Sequence, residues 1–198
     1  MNQHVRETRQ GSDCRDTGIF KRAGILVTED DTCTRELILN ILDLEGYSDV
    51  LQAADGVECL SKLKEHEERI RAVVLDLAMP RLSGADVLES LAELPRPHLA
   101  ILMISGHKEK LTALQSQYGG LGDHFCLGSV TKPFEPHTLV EQLEELLGRA
   151  RRRTQELKGD MHHKLREHVS LINCQMKSLQ ASMADLQNIV AELSRDKT

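Results

Sequence analysis

No apolar run in this chain approaches the roughly 20 residues needed to cross a bilayer, and the polar, arginine-bearing N-terminus has no apolar signal core. Membrane insertion and secretion are therefore not expected, and a cytoplasmic location is. The five cysteines, Cys14, Cys33, Cys59, Cys126 and Cys174, contain no CxxC or other metal-ligand pair. Their odd number and wide spread fit a reduced compartment, and Cys33 and Cys59 fall on helical segments as expected packing residues. An excess of positive charge is also lacking: 25 Lys and Arg stand against 31 Asp and Glu, a net charge of −6. That balance argues against a general nucleic-acid binder. One basic cluster, Arg149-Ala-Arg-Arg-Arg153, runs against it. No helix-turn-helix or other reader follows, so the cluster reads as a solvated junction and no specific nucleic-acid partner is expected. From about residue 150 onward proline is absent and Gly159 is the only glycine.

What is present is a chain of 198 residues, 40% apolar and 28% charged, with room for one ordinary domain and an appendage. Between Gly24 and about Gly148, β-branched and aliphatic runs alternate with amphipathic stretches, the pattern of βαβ units around a parallel sheet. The spacing predicts strands over 24–29, 48–53, 71–76, 99–105 and 126–131, and helices near 33–45, 57–67, 84–93, 108–118 and 136–149. Pro136 suits the start of the last helix and Gly46 the end of the first. The expected fold is α/β, a doubly wound five-stranded parallel sheet over 22–149. A polar N-terminal tail, 1–21, precedes it and a helical segment, 150–198, follows.

In that last segment Val169, Ile172, Met176, Leu179, Met183, Leu186, Val190 and Leu193 keep a/d heptad spacing, which predicts a coiled coil. Leucine dominates the d positions and β-branched residues share a, favouring a parallel homodimer through 165–194. His162, His163 and His168 on the same helix read as solvated positions, or in the case of His162 as a weak a-position.

Four of the predicted strands end in polar residues: Glu29-Asp30 after Gly24–Thr28, Asp76 after Ala72–Leu75, Ser105 after Ala100–Ile104, and Lys132 after Leu127–Thr131. In an open parallel sheet, ligands collect outside the carboxyl ends of the strands, so these groups are expected to share one pocket. Carboxylates about 4 Å apart repel by roughly 4 kcal/mol per pair at an effective dielectric near 20, so a cation is needed. A few oxygen ligands with room for water and phosphate suit Mg²⁺. Lys132 and Ser105 supply a positive charge and a donor for a phosphoryl group, with Asp76 as the nucleophile that becomes an aspartyl phosphate.

These residues resemble the receiver domain of two-component response regulators. The resemblance rests on Ile25-Leu-Val-Thr-Glu-Asp-Asp31, Val73-Val-Leu-Asp-Leu-Ala-Met-Pro80 followed by Gly84, Met103-Ile-Ser-Gly106, and Thr131-Lys-Pro-Phe134. It implies that Asp76 accepts the phosphoryl group and that Asp30 is the main Mg²⁺ carboxylate with Glu29 beside it. It further implies that the Ala78 carbonyl completes the metal shell, that Lys132 and Ser105 read the phosphoryl group, and that the Lys132–Pro133 bond is cis. Two positions depart from the family. Glu29 stands where Asp is more frequent, and Ser129 stands where an aromatic residue usually precedes the lysine by three positions. Phe125 is the nearest aromatic, in a glycine-rich stretch from Tyr118 to Gly128 that is longer than usual. The output route is therefore expected to pass through the remodelled loop before the last strand.

The implied function is a phosphorylation switch rather than an enzyme, taking its phosphoryl group from a histidine kinase or phosphotransfer protein. The signal would leave to a downstream protein through the coiled coil, or through the face formed by the fourth helix, fifth strand and fifth helix. The alternative is a phosphorylation-independent scaffold that docks through the domain and recruits a partner through the coil.

Overall fold

The computed structural model describes residues 21–121 and 124–195, with side-chain environments as far as Gln180 and at Met183. The expected tail, apart from Lys21, lies outside the described residues, as do Cys14 and the environments of Leu186, Val190 and Leu193. The chain divides into two compact units, Met1–Thr154 and Gln155–Thr198.

The first unit is a flavodoxin-like α/β fold. Its elements are β1 (Gly24–Thr28), α1 (Thr32–Leu44), β2 (Val50–Ala53), α2 (Gly56–Glu65), β3 (Ile70–Asp76), α3 (Gly84–Leu91), β4 (Ala100–Ser105), α4 (Lys108–Tyr118), β5 (Cys126–Thr131) and the start of α5 (Pro136–Arg195). The five strands form one parallel sheet in the order β2-β1-β3-β4-β5. The central strands are apolar on both sides because helices cover both faces. Ile25, Val27, Val74, Leu102 and Ile104 pack on one face with Ile38, Ile41 and Leu42 of α1 and Leu139, Leu143 and Leu146 of α5. Leu26, Val73, Leu75, Ile101 and Met103 pack on the other with Leu63, Val87, Leu88 and Leu111. Each fully buried Leu or Ile stabilises the domain by about 1.5–3 kcal/mol relative to exposure, so this two-sided core makes the rigid frame for the strand ends.

Local signals set the element ends. Asp31 caps α1 by accepting from Thr34 N at 2.8 Å. Gly46, at φ +84°, closes the helix, its N–H donating to Asp43 O at 2.8 Å while Tyr47 N donates to Leu42 O at 2.9 Å. That pair of bonds is a Schellman ending, which needs the left-handed conformation glycine adopts freely. Ser83 and Asp86 form a capping box at the start of α3, and Pro136 opens α5.

Cys59 is buried in the α2 side of the core, but Cys33 is exposed, contrary to its expected packing role. It lies five residues before Ile38, which at 3.6 residues per turn turns it about 140° from that buried position.

In the second unit α5 is helical to Arg195. Val169, Ile172, Met176, Leu179 and Met183 are exposed there, each about half or more accessible. No helix among the described residues is long and apolar enough to cross a membrane.

Candidate functional site

Parallel register places the strand ends side by side. Asp76 pairs with Ile104 and Ser105 with Thr131. Hydrogen bonding continues one residue past the strands, with Glu29 N donating to Ala53 O at 3.1 Å and Lys132 N donating to Ser105 O at 2.8 Å. The polar residues that follow the four runs therefore emerge at one level, on the carboxyl edge of the sheet.

Glu29, Asp30 and Asp76 come together there, each offering a carboxylate oxygen, with all three atoms within 4.8 Å of one another. Glu29 and Asp76 are buried and Asp30 is exposed. The Lys132 Nζ donates to Glu29 Oε2 at 2.6 Å and to Asp76 Oδ1 at 2.9 Å, bridging the two buried acids. The remaining Asp76 oxygen, Oδ2, accepts from Ala78 N at 3.0 Å. Ala78 thus lies against the carboxylate through its N–H. Ser105 is buried beside Asp76's neighbour Ile104, with its Oγ accepting from His107 N at 3.2 Å. A side chain at Gly106 would meet nothing within 4 Å, so the approach over Ser105 is open. The Lys132–Pro133 bond is cis.

The electrostatics follow from burial. Removal from water raises the Glu29 carboxyl above its ordinary 4.5; the Lys132 hydrogen bond opposes that shift and the Asp76 charge adds to it. Burial alone would lower the Lys132 ammonium, but its bonds and charge attraction to Glu29 and Asp76 outweigh this and raise it above 10.5. One ammonium for three carboxylates, all oxygen donors and one of them open to solvent, is a donor set suited to a hard divalent cation such as Mg²⁺.

Two contributors escape a reading of strand ends. Arg35, one turn into α1, donates from Nη1 to the backbone oxygen of Glu29 at 2.7 Å and weakly to that of Asp30 at 3.4 Å. It holds the acidic turn by its main chain, a role visible in sequence only as an arginine five residues beyond Asp30. Asp55, the cap of α2, is fully buried. Ser129 donates from Oγ to Gln115 Oε1 at 2.9 Å, joining β5 to α4. Phe125 packs in the core with Leu111 and Leu127.

Comparison with known proteins agrees with this geometry. Residues 25–144 match the family model described as response regulator receiver domain. A chemotaxis protein CheY homolog of Campylobacter jejuni (strain 81-176) is 32% identical over 128 residues, covering 63% of this chain and 92% of the relative. CheY1 of Helicobacter pylori (strain 26695) is 34% identical over 128 residues, covering 63% and 96%. Among solved structures, a probable two-component system response regulator/GGDEF domain protein aligns with a TM-score of 0.57 and 25% identity, covering 68% of this chain and 52% of that one. The chain therefore spans about half the length of that multidomain structure.

Proposed function

The chain belongs to the response regulator receiver domain family, and from that membership we propose that it is a cytoplasmic phosphorylation switch with Asp76 as its phosphoacceptor. The observation that carries this reading is the meeting of three carboxylates within 4.8 Å with the Lys132 ammonium 2.9 Å from Asp76.

In this reading Glu29, Asp30 and Asp76, with the Ala78 carbonyl, hold Mg²⁺. When bound, the ion supplies positive charge facing the phosphoryl oxygens. The donor is a histidine kinase or phosphotransfer protein. A carboxylate oxygen of Asp76 forms the new bond to phosphorus as the donor's phosphorus–nitrogen bond breaks, its electron pair staying on the imidazole nitrogen. Lys132, already bonded to Asp76, turns its charge to the phosphoryl oxygens, and the Ser105 hydroxyl donates to one of them. Water later hydrolyses the acyl phosphate and restores the carboxylate. No other chemistry is assigned to the protein, which signals rather than turns over a substrate.

Output is assigned to protein contacts. The domain extends over 22–149, and 150–198 forms a coiled coil that pairs two copies through 165–194. Phosphorylation adds about −1 to −2 units of charge at the strand ends and biases the face made by α4, β5 and α5, where the downstream partner is read. Ser129 in place of an aromatic residue makes the Ser129–Gln115 bond the link between β5 and α4 in this switch.

The decisive experiment is intact mass after incubation with Mg²⁺ and a small phosphodonor, wild type against Asp76→Asn. One phosphoryl group on wild type alone is the expected result. A gain on both proteins would move the acceptor elsewhere. Partner recruitment that survives Asp76→Asn unchanged would favour the scaffold.

A further inference from the structure

Asp55 is fully buried, a costly place for a carboxylate unless it is paired. One oxygen, Oδ1, caps α2 by accepting from Glu58 N at 2.9 Å. The other, Oδ2, is buried with no hydrogen-bond partner of its own among the described residues and lies in ion-pair contact with Arg81 Nη2. Arg81 is itself unusual: its φ is +64°, the one positive-φ residue other than glycine among the described residues. That conformation costs an L-residue roughly 1–2 kcal/mol and costs glycine little. An arginine at such a position needs a compensating contact, and the buried acid supplies it.

The pair joins two loops. Beside it, Gly56 N donates to Leu82 O at 3.2 Å, and a Cβ on Gly56 would approach that oxygen to 2.5 Å. The loop so held, residues 77–83, starts from Asp76 and contains Ala78, whose N–H donates to Asp76 Oδ2. It ends at Gly84, where a Cβ would collide with the Asp76 backbone carbonyl. Both ends of the loop are therefore closed onto their neighbours, and the Asp55–Arg81 pair grips its far limb.

We propose that Asp55 and Arg81 are positioning residues. Their ion pair fixes the 77–83 loop so that Ala78 presents its N–H to Asp76 and its carbonyl to the cation. The second half of this assignment rests on the Mg²⁺ site proposed above.

The test uses the full chain carrying Asp55→Asn with Arg81→Gly, which removes the charge pair, keeps an acceptor to cap α2 and relieves the backbone at 81. Three quantities are measured: thermal unfolding in EDTA, Mg²⁺ affinity by calorimetry, and exchange of the Ala78 amide proton in the metal-free protein. The expected result is unfolding close to wild type, Mg²⁺ affinity about tenfold weaker, as for other residues that orient ligands, and faster Ala78 exchange. Arg81→Lys, which keeps the charge, should retain most of the affinity. Should the double variant not fold, Asp55→Asn alone gives the same comparison. Unchanged Mg²⁺ affinity and unchanged Ala78 exchange would overturn the proposal. A wild type that binds no Mg²⁺ would overturn the cation site instead, and the Ala78 exchange would still decide whether the pair holds the loop.

Discussion

The Lys132 ammonium lies 2.6 Å from Glu29 Oε2, joining residues 103 positions apart at the carboxyl edge of the sheet. Glu29 reaches Lys132 directly while its neighbour Asp30 stays exposed to solvent. The bond leaves the metal-free site with one ammonium set against three carboxylates, and its two partners have opposite consequences for stability.

Glu29 has a folded-state pKa raised above 4.5, chiefly by burial. The stability linked to its proton is present below about pH 4.5 and is lost as pH rises through the higher folded value. Its ionised form is thus held at a cost. Glu29→Gln should therefore stabilise the metal-free protein by about 1 kcal/mol while weakening Mg²⁺ binding, a trade-off of the kind common at functional sites. Denaturant unfolding with and without Mg²⁺ checks both signs at once.

Lys132 has a folded pKa raised above 10.5. The stability it contributes is present below pH 10.5 and lost as pH climbs through the folded value. Lys132→Met leaves Glu29 and Asp76 buried without their shared cation, and should cost about 3 kcal/mol without metal. Mg²⁺ should restore part of that loss, and the alkaline unfolding step should disappear from the variant.

Gly128 is a close-approach glycine: a Cβ there would lie 2.8 Å from Leu146 Cδ1 on α5. Gly128→Ala is expected to destabilise the domain by about 1–3 kcal/mol through overpacking. Adding Leu146→Val should recover part of the loss in a double-mutant cycle, since the two sites share one contact.

Ser129 and Gln115 share a hydrogen bond on an exposed face, and Leu111 is the one fully buried residue of α4. Ser129→Ala should therefore cost only about 0.5–1 kcal/mol globally. Its larger effect should be faster amide exchange across α4, read by mass spectrometry, because the bond is a direct side-chain tie from this helix to β5.

Ile172 and Leu179 are 54% and 65% exposed within the single chain. In a monomer, Glu at both positions would change stability little, within about 0.5 kcal/mol per site. In the proposed homodimer the same change removes two buried side chains worth about 1.5–3 kcal/mol each. Sedimentation should show wild type as a dimer and the double variant as a monomer.

The sheet, its helices and their order were legible in the sequence because each apolar run had one strand's length and each amphipathic stretch one helix's period. Pro136 and Gly46 marked their helix ends for reasons that act within a few residues. The site was half legible: Glu29, Asp30, Asp76, Ser105 and Lys132 each follow a strand, and a parallel sheet gathers strand ends at one edge whatever its loops do.

What the chain alone determined, then, is the pattern whose causes are local or periodic: five strand–helix units, their caps, and an apolar stripe over 169–193. What only the tertiary structure decided is how groups distant in sequence meet. Arg35 grips the acidic turn through backbone oxygens, Lys132 selects Glu29 and Asp76 together, and buried Asp55 finds Arg81 in a loop from another strand. Those contacts depend on register and burial, which set distance and desolvation, and neither is written in the spacing of residues along a single element.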